Sequence, residues 1–520
     1  MDFSVALLCV GLAAGCAMAA RGSLHDLQLE SYQFAGYFRS MLRHPARAFA
    51  PGLLMAAAAC LCRFLLGGQF WGRCVSALLL CACGWGIMRL TARRKEKKPF
   101  VVTPRVKRLW CIMGLLFLLI LLPVAWKGWR WVFPLLLPLW TALGAAAAWP
   151  LERCISDLYL RDAQSRLAAR PDLIRIGITG SYGKTSVKFI LNTLLSEQFQ
   201  VLSTPASFNT PMGLTRVIRE RLQPAHQIFL AEMGARHRGD IRELCRLVHP
   251  THGVLTSVGP QHLDTFHSIE NIRETKYDLI RAIPPEGCRF FPDDGGICRE
   301  LYDRTQGSKR LASLRPGSGA DVWAEDLQVS PRGSSFILCT ADGRIACETR
   351  MLGEHNIQNI LLAASVCLEL GMNLKQISRG IGKLKPVEHR LQLISRGDGI
   401  TMIDDAFNAN PAGASRALRV LSAFPAQRVI VTPGMVELGP DEAQYNRSFG
   451  EEMAGCVDLA ILVGPKHTAP IRDGLLAKGF TEEHILTVRS LDDVPALIRQ
   501  HMKPGDTVLF ENDLPDNYSE

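Results

Sequence analysis

The sequence predicts an α/β chain carried behind a group of apolar helices, and three observations predict it. Five apolar runs crowd into the first 150 of 520 residues. From about residue 171 onward strand-like and helical runs alternate, the pattern of mostly parallel sheets covered by helices. The third observation is local. Gly177-Ile178-Thr179-Gly180-Ser181-Tyr182-Gly183-Lys184-Thr185-Ser186 follows a β-rich apolar run, Leu173 to Ile178. It precedes a helical pattern with Val187, Ile190, Leu191, Leu194 and Leu195 on one face.

Taken in order, the apolar runs are 3–20, 49–67, 74–90, 109–125 and 131–149. At ~1.5 Å per residue in a helix each comes near the length that spans a bilayer. Arg63 interrupts the second, and a buried helical hairpin is the alternative for one of the five. The first run ends in small residues, Ala17 to Ala20, as a signal peptide would. It has no positive n-region and more apolar runs follow, which favours an uncleaved span.

Charge orients these runs. Up to residue 170 there are 21 Lys and Arg against 7 Asp and Glu, and in the rest 38 against 42, so the basic surplus belongs to the first third. Arg21, Arg39, Arg43 and Arg47 lie between the first two runs. Arg93, Arg94, Lys95, Lys97, Lys98, Arg105, Lys107 and Arg108 lie between the third and fourth. Positive loops stay in the cytoplasm, so five spans place the N-terminus outside and everything after residue 150 inside, in a multi-pass protein of the cytoplasmic membrane. Lys127 and Arg130 fall on the other side. The charge is thus that of membrane loops, and with no nucleic-acid motif in the chain no nucleic-acid partner is expected. The 16 cysteines form no C-x-x-C pair, which suits reduced, structural residues in a cytoplasmic catalytic part.

The domain plan is then a transmembrane region over 1–150, a linker helix over 151–172, a central domain over 173–388 and a smaller one over 389–520. The linker carries Arg153, Arg161, Asp162, Arg166 and Arg170. The central domain has strand-like runs at 173–179, 227–232 and 252–258 and a small β insertion at 309–350. The last domain, Rossmann-like, has strands near 400–404, 428–432, 458–463, 484–488 and 506–511.

The strand, glycine loop and helix around Lys184 make a phosphate cradle, the core of a P-loop ATPase domain. Glycines let consecutive N–H groups converge, the helix N-terminus adds its positive end, Lys184 supplies a mobile cation and Thr185 can hold Mg²⁺. The ligand this implies is ATP, held by Gly180, Ser181, Tyr182, Gly183, Lys184, Thr185 and Ser186. A plain Gly/Ser-rich helix cap is the bland reading, and Gly-Lys-Thr after a buried strand is far more specific than that. The first glycine stands one residue early, at Gly177, with Ile178 in its usual place. Polar residues also stand at other strand ends, where open α/β sheets hold ligands. Glu232 follows the run Phe229-Leu230-Ala231 and is placed to ligate Mg²⁺, and His262 follows Thr256-Ser257-Val258-Gly259-Pro260-Gln261. Lys276 falls on the apolar stripe of Ile269, Ile272, Leu279 and Ile280, a costly position unless it is paired, chemically altered or snorkels to the surface.

These residues carry a resemblance. Gly177 to Ser186, the stretch Glu232 to Asp240, Gly259 to Leu263 and Lys276 fourteen residues past His262 stand in order. Gly353-Glu354-His355-Asn356-Ile357-Gln358-Asn359, Glu388-His389-Arg390-Leu391 and Asp404-Asp405-Ala406-Phe407-Asn408-Ala409-Asn410-Pro411 follow. Together they resemble the Mur ligase family over about 171–520, most closely its MurF type. The resemblance implies an ATP-dependent amide ligase of cell-wall precursor synthesis. A carboxylate becomes an acyl phosphate, which an amine then attacks; here the amine would be D-alanyl-D-alanine and the acid a muramoyl tripeptide. It further implies that Lys184, Mg²⁺ and Arg390 screen the transferring phosphoryl group. Thr185 and Glu232 would hold one Mg²⁺, and His262 with a carbamylated Lys276 a second. His355, Asn356 and Asn359 would meet the nucleotide from the central domain, and Asp404, Asn408 and Asn410 from the last one.

The departures concern the substrates. Membrane spans occupy the place of the family's UDP-gripping domain, and Phe407 stands where Tyr is common. The last strand ends Phe510-Glu511-Asn512-Asp513-Leu514-Pro515-Asp516, where the MurF type has a basic, glycine-containing turn. The acceptor is therefore open between a UDP-linked precursor, a lipid-linked one and another envelope carboxylate, and the amine between a D-amino-acid dipeptide and another. An ATP-sensing membrane scaffold is the non-enzyme alternative; a basal ATPase indifferent to every carboxylate would mark it.

Overall fold

A computed structural model of the chain describes residues 3–512 except 31, 93–98, 126–132, 206–207, 331–332, 388, 396, 407–409 and 437, and of 120–125 and 395 the backbone alone. The chain falls into two compact units that divide after Leu158.

The first unit is helical, with Phe3–Ala19, Arg21–Leu29, Phe34–Arg43, Pro45–Leu66, Phe70–Ala92, Pro104–Ala125 and the start of Leu137–Ala168. Two of these helices meet through glycines. A Cβ on Gly84 would lie 2.2 Å from Gly15 O, and one on Gly15 would lie 2.4 Å from Leu80 O. Phe3–Ala19 and Phe70–Ala92 therefore touch backbone to backbone, as small residues permit in apolar bundles. Other large side chains point outward, with Phe64 84%, Trp71 78% and Leu78 72% exposed. By length and composition three helical stretches among the described residues could cross a membrane: Pro45–Leu66, Phe70–Ala92 and Phe133–Ala168. Phe3–Ala19 with Arg21–Leu29, bent by 40°, makes a fourth if the pair is one span. The sequence expects five. The difference lies in the first run, whose helix is only 17 residues long, and in run 109–125, whose side chains from 120 on lie outside the described residues.

The second unit is α/β, as expected. Its first sheet contains β1 Ile174–Thr179, β2 Val201–Ser203, β3 Ile228–Glu232, β4 His252–Leu255, β5 Arg289–Pro292, β6 Lys309–Ser313, β7 Val322–Ser330, β8 Gly333–Thr340 and β9 Gly343–Thr349. The order is β2-β3-β1-β4-β5-β6-β7-β8-β9, parallel as far as β7. Strands buried on both faces read as near-continuous apolar runs, and β1 and β3 do so because helices cover both sides. On one side Ile176, Ile178 and Leu230 pack with Val187, Leu191 and Leu194 and with Ile357, Ile360 and Leu361 of the helix Glu354–Glu369. On the other, Phe229 and Ala231 pack with Leu214, Ile218, Leu244 and Leu279. Ala163 and Leu167 join that second core, so the end of the helix Leu137–Ala168 is packed where a solvated linker is expected. The β insertion is also different. β7, β8 and β9 extend the main sheet as an antiparallel edge, because β6 offers β7 a free edge through Ala312↔Val322 and Ser313↔Trp323.

The second sheet contains β10 Gln392–Ser395, β11 Thr401–Asp405, β12 Arg428–Thr432, β13 Leu459–Val463, β14 Ile485–Val488 and β15 Thr507–Glu511, in the order β10-β11-β15-β12-β13-β14. Only β10 runs antiparallel. The last strand, β15, thus sits between the second and third. Its carboxyl end and those of β11 and β12 open on one edge, the ligand edge of such sheets.

Candidate active site

β1 lies between β3 and β4, so the loop that follows it sits at the centre of the first sheet's carboxyl edge. Two glycines shape that loop. Gly180 has φ +156°, and a Cβ there would stand 2.1 Å from Thr256 Oγ1. Gly183 has φ +79°, with Asn359 Oδ1 3.1 Å from where its Cβ would be. The loop after β4 is laced to the first. Ser257 O accepts from Ser181 N at 2.9 Å, Ser257 Oγ accepts from Tyr182 N at 2.7 Å, and Ser181 Oγ donates to Gly259 O at 2.9 Å. Tyr182 Oη donates to Pro260 O, and Thr256 Oγ1 to Tyr182 O. The cradle is therefore braced by the loop after β4.

Lys184 closes it. Its Nζ donates to Gly180 O at 2.6 Å and to Ser181 O at 3.0 Å, two carbonyls of its own loop. Burial lowers its pKa to about 8; Glu232 opposes that shift and Arg390 adds to it. The ammonium is thus charged near neutral pH and ready to exchange weak carbonyl partners for a phosphate.

Glu232, at the end of β3, is 1% exposed and stands at the centre of a cluster. Thr185 Oγ1 lies 3.1 Å from both of its oxygens, Lys188 Nζ 2.9 Å from Oε2, and Asn209 Nδ2 3.2 Å from Oε1. A hydroxyl and a carboxylate in contact beside a phosphate cradle are the hard oxygen donors Mg²⁺ takes, so these residues fit that ion. Among the described residues no group of three His, Cys, Asp or Glu gathers as a metal site. The Lys188–Glu232 pair, both 1% exposed, was not anticipated from the sequence. The signal was present: Lys188 stands four residues past Lys184 and three before buried Leu191, the same kind of apolar-face lysine as Lys276. Asn209 gave no such signal, since it precedes the cap residue Thr210 in a loop.

His262 has φ +52° and caps the short helix Leu263–Phe266 on the loop laced to the cradle. Lys276, in the helix Ile269–Ala282, is 1% exposed with its Nζ 5.9 Å from the centre of the Phe266 ring. Among the described residues no carboxylate lies within ion-pair distance of it. Burial, and then the charge of Lys184, push its pKa well below the usual range, against a pull from Asp240. Ile269, expected on the same buried stripe, is 39% exposed.

His355 opens the helix Glu354–Glu369, and burial with the nearby charges of Arg416 and Arg390 lowers its pKa to about 3, so it is neutral at working pH. Asn356 donates to Leu352 O at 2.8 Å, while Asn359 faces Gly183. Across the cleft, Asp404 accepts from Ala406 N at 3.1 Å and lies 2.7 Å from His389 Nδ1. Asn410 accepts from Gly413 N at 2.8 Å as the cap of the helix Pro411–Ser422. Arg390, beside β10, is in electrostatic range of Lys184, Glu232 and His355, and Arg416 in range of Tyr182 and His355. Arg416 was also missed; it sits in an ordinary amphipathic helix. Asn408, and with it Glu388 and Phe407, lies outside the described residues.

Comparison with known proteins agrees with this geometry. The Mur ligase middle domain matches residues 178–367, and the Mur ligase glutamate ligase domain matches 389–511. The UDP-N-acetylmuramoyl-tripeptide–D-alanyl-D-alanine ligase of Mycobacterium tuberculosis is 32% identical over 361 residues, covering 65% of this chain and 69% of that protein. The chain belongs to the Mur ligase family. The enzyme of the same name from Escherichia coli is 28% identical over 349 residues, covering 65% of this Mur ligase and 77% of its relative. Among solved structures, MurF from Acinetobacter baumannii superposes with a TM-score of 0.62 at 26% identity, over 70% of this chain and 78% of that one. The MurF ligase of Thermotoga maritima, solved in complex with ADP, shares the fold with a TM-score of 0.61 at 24% identity, over 69% and 80% of the two chains.

Proposed function

We propose that this Mur ligase joins D-alanyl-D-alanine to the tripeptide of a muramoyl cell-wall precursor, using ATP and Mg²⁺. The observation that carries the reading is the contact of Thr185 and Glu232 beside the Lys184 cradle, in a chain whose relatives bear the name of that reaction. A carboxylate oxygen of the acceptor attacks the γ-phosphorus and ADP leaves. The amine nitrogen then attacks the acyl-phosphate carbon, the C–N bond forms and phosphate departs. Lys184 and Arg390 bring fixed positive charge to the transferring phosphoryl group, where positioning and electrostatics supply most of the catalysis. Thr185 and Glu232 would hold Mg²⁺, which when bound neutralises phosphate charge, and Lys188 fixes the Glu232 carboxylate from behind. Neutral His355 and Asn359 line the nucleotide side without adding charge.

The finer reading is a ligase held in the cytoplasmic membrane by its first unit with the second unit in the cytoplasm. The apolar helices and the basic loops 21–48 and 91–108 support it. A lipid-linked acceptor, met in two dimensions at raised effective concentration, is the second reading, because a helical unit stands where the UDP-gripping domain would be. Sealed membrane vesicles test both points together. Inside-out vesicles given ATP, D-alanyl-D-alanine and either the UDP-linked or the lipid-linked tripeptide are expected to form pentapeptide, and right-side-out vesicles none. Turnover in right-side-out vesicles overturns the orientation, and turnover confined to the UDP-linked acceptor overturns the lipid-linked reading.

A further inference from the structure

At the carboxyl edge of the second sheet two carboxylates stand side by side that the reaction described above does not use. β11 and β15 are adjacent and parallel, and their last paired residues are Asp405 and Glu511. Glu511 is 1% exposed, and its Oε2 meets no hydrogen-bond partner among the described residues. Asp405 accepts from Leu391 N at 3.2 Å, and the strand register sets it beside Glu511. Two ionised carboxylates held side by side away from water have no donor between them and repel, which favours a proton shared by the pair. Burial, only partly offset by Arg390, pushes Asp405 up to about 6, and burial together with the charge of Asp405 pushes Glu511 well above the usual range. The charged groups around the pair are Arg390, which attracts both members, and Asp404, which repels Asp405. Arg390 itself, its pKa lowered by burial, is drawn the other way by Asp405, Glu232 and Glu511, and so lies within electrostatic range of both the pair and the cradle.

We propose that Glu511 is a positioning residue for the phosphoryl-transfer step: by sharing one proton with Asp405 it keeps the pair at a single negative charge. That charge orients the Arg390 guanidinium without neutralising it. The positive charge of Arg390 is then left for the phosphoryl oxygens. When the shared proton is lost at higher pH, the doubly charged pair compensates Arg390 and repels the nucleotide, so affinity for the nucleotide falls. The inference rests on the ATP-dependent reading of the site.

The test is ADP binding by calorimetry to the full-length, detergent-solubilised protein, from about pH 6 to about pH 9, in wild type, Glu511→Gln and Glu511→Leu, with the ATP KM and kcat measured alongside. Glutamine donates a hydrogen bond to Asp405 and has no proton to lose. Glu511→Gln is therefore expected to match wild type at the acid end and to flatten the alkaline fall, leaving only the part due to Lys184. Glu511→Leu keeps the single charge on Asp405 but removes the donor that holds it, so it is expected to raise the ATP KM by about threefold at the acid end, where wild type also carries one charge, the equivalent of roughly half a pKa unit of coupling. Melting temperature against pH controls for folding. A pair whose folded pKa values are raised makes stability fall as pH rises from the unfolded carboxylate range through about 6, and Glu511→Gln should reduce that fall. Identical pH curves in wild type and Glu511→Gln, or an unchanged KM in Glu511→Leu, overturn the role of Glu511 alone. A wild-type protein that binds no ADP at any pH overturns the nucleotide reading on which it rests.

Discussion

Replacing Lys184 with alanine is expected to abolish ADP formation while the second unit stays folded. Among the described residues the Nζ donates only to Gly180 O and Ser181 O, so its loss leaves two loop carbonyls that water can reach and no buried charge without a counterion. The lost charge is the one nearest the loop where the γ-phosphoryl group must sit. Removing a single preorganised donor from developing negative charge costs about 10²–10³ in kcat, and a full positive charge in a partly desolvated loop should cost at least that. ADP release at more than about a tenth of the wild-type rate would remove Lys184 from the phosphoryl site. Glu232→Ala is a poorer test than the sequence suggests. It takes one partner out of an ion pair whose members are both 1% exposed, a change on the order of 3–5 kcal/mol, so lost activity there would be mixed with lost stability. Glu232→Gln keeps the shape and is the cleaner variant.

Lys276→Ala is the second large effect: nearly complete loss of activity, partly restored by added formate or acetate. Burial at 1% exposure, with no carboxylate at ion-pair distance among the described residues, pushes the Lys276 amine well below the usual lysine range and so favours the neutral form that adds to CO₂. The amine nitrogen forms a bond to the CO₂ carbon and releases one proton, leaving a carbamate whose oxygens are anionic. A carbamate on Lys276 would turn a group that burial penalises as a cation into an anionic ligand oxygen. Alanine leaves a cavity open to a small carboxylate, which can supply the same oxygens. ADP release followed against acid concentration checks this. A fully active variant, or one that short acids do not rescue, would show that Lys276 is only a neutral side chain packed on Phe266.

What the sequence made legible follows from how local each signal is. Gly180, Gly183 and Lys184 are contiguous, and the conformations they need are written in the glycine spacing. Lys276 was visible because a helical period marks a buried face, although Ile269 on the same period is exposed at the helix start. The last domain's five parallel strands were found within a residue or two, since each is a short apolar run between helices. β2, β5 and β10 were missed because they are only three or four residues long. β7 to β9 read as an insertion because alternation identifies strands but says nothing about which sheet edge accepts them. Lys188, Asn209 and Glu511 depend on a partner far away in the chain, Glu232 or Asp405. No spacing announces the partner; strand register brings Glu511 to Asp405, and helix and loop packing bring Lys188 and Asn209 to Glu232.

The most direct test of ATP-dependent ligation through an acyl phosphate is to follow heavy oxygen placed in the acceptor carboxylate. If the carboxylate attacks the γ-phosphorus, one labelled oxygen leaves with the inorganic phosphate in every turnover and none enters ADP, and mass spectrometry of the phosphate should show it only when D-alanyl-D-alanine is present to complete the reaction. Phosphate that carries no label while ADP accumulates, or label recovered in AMP, would contradict it.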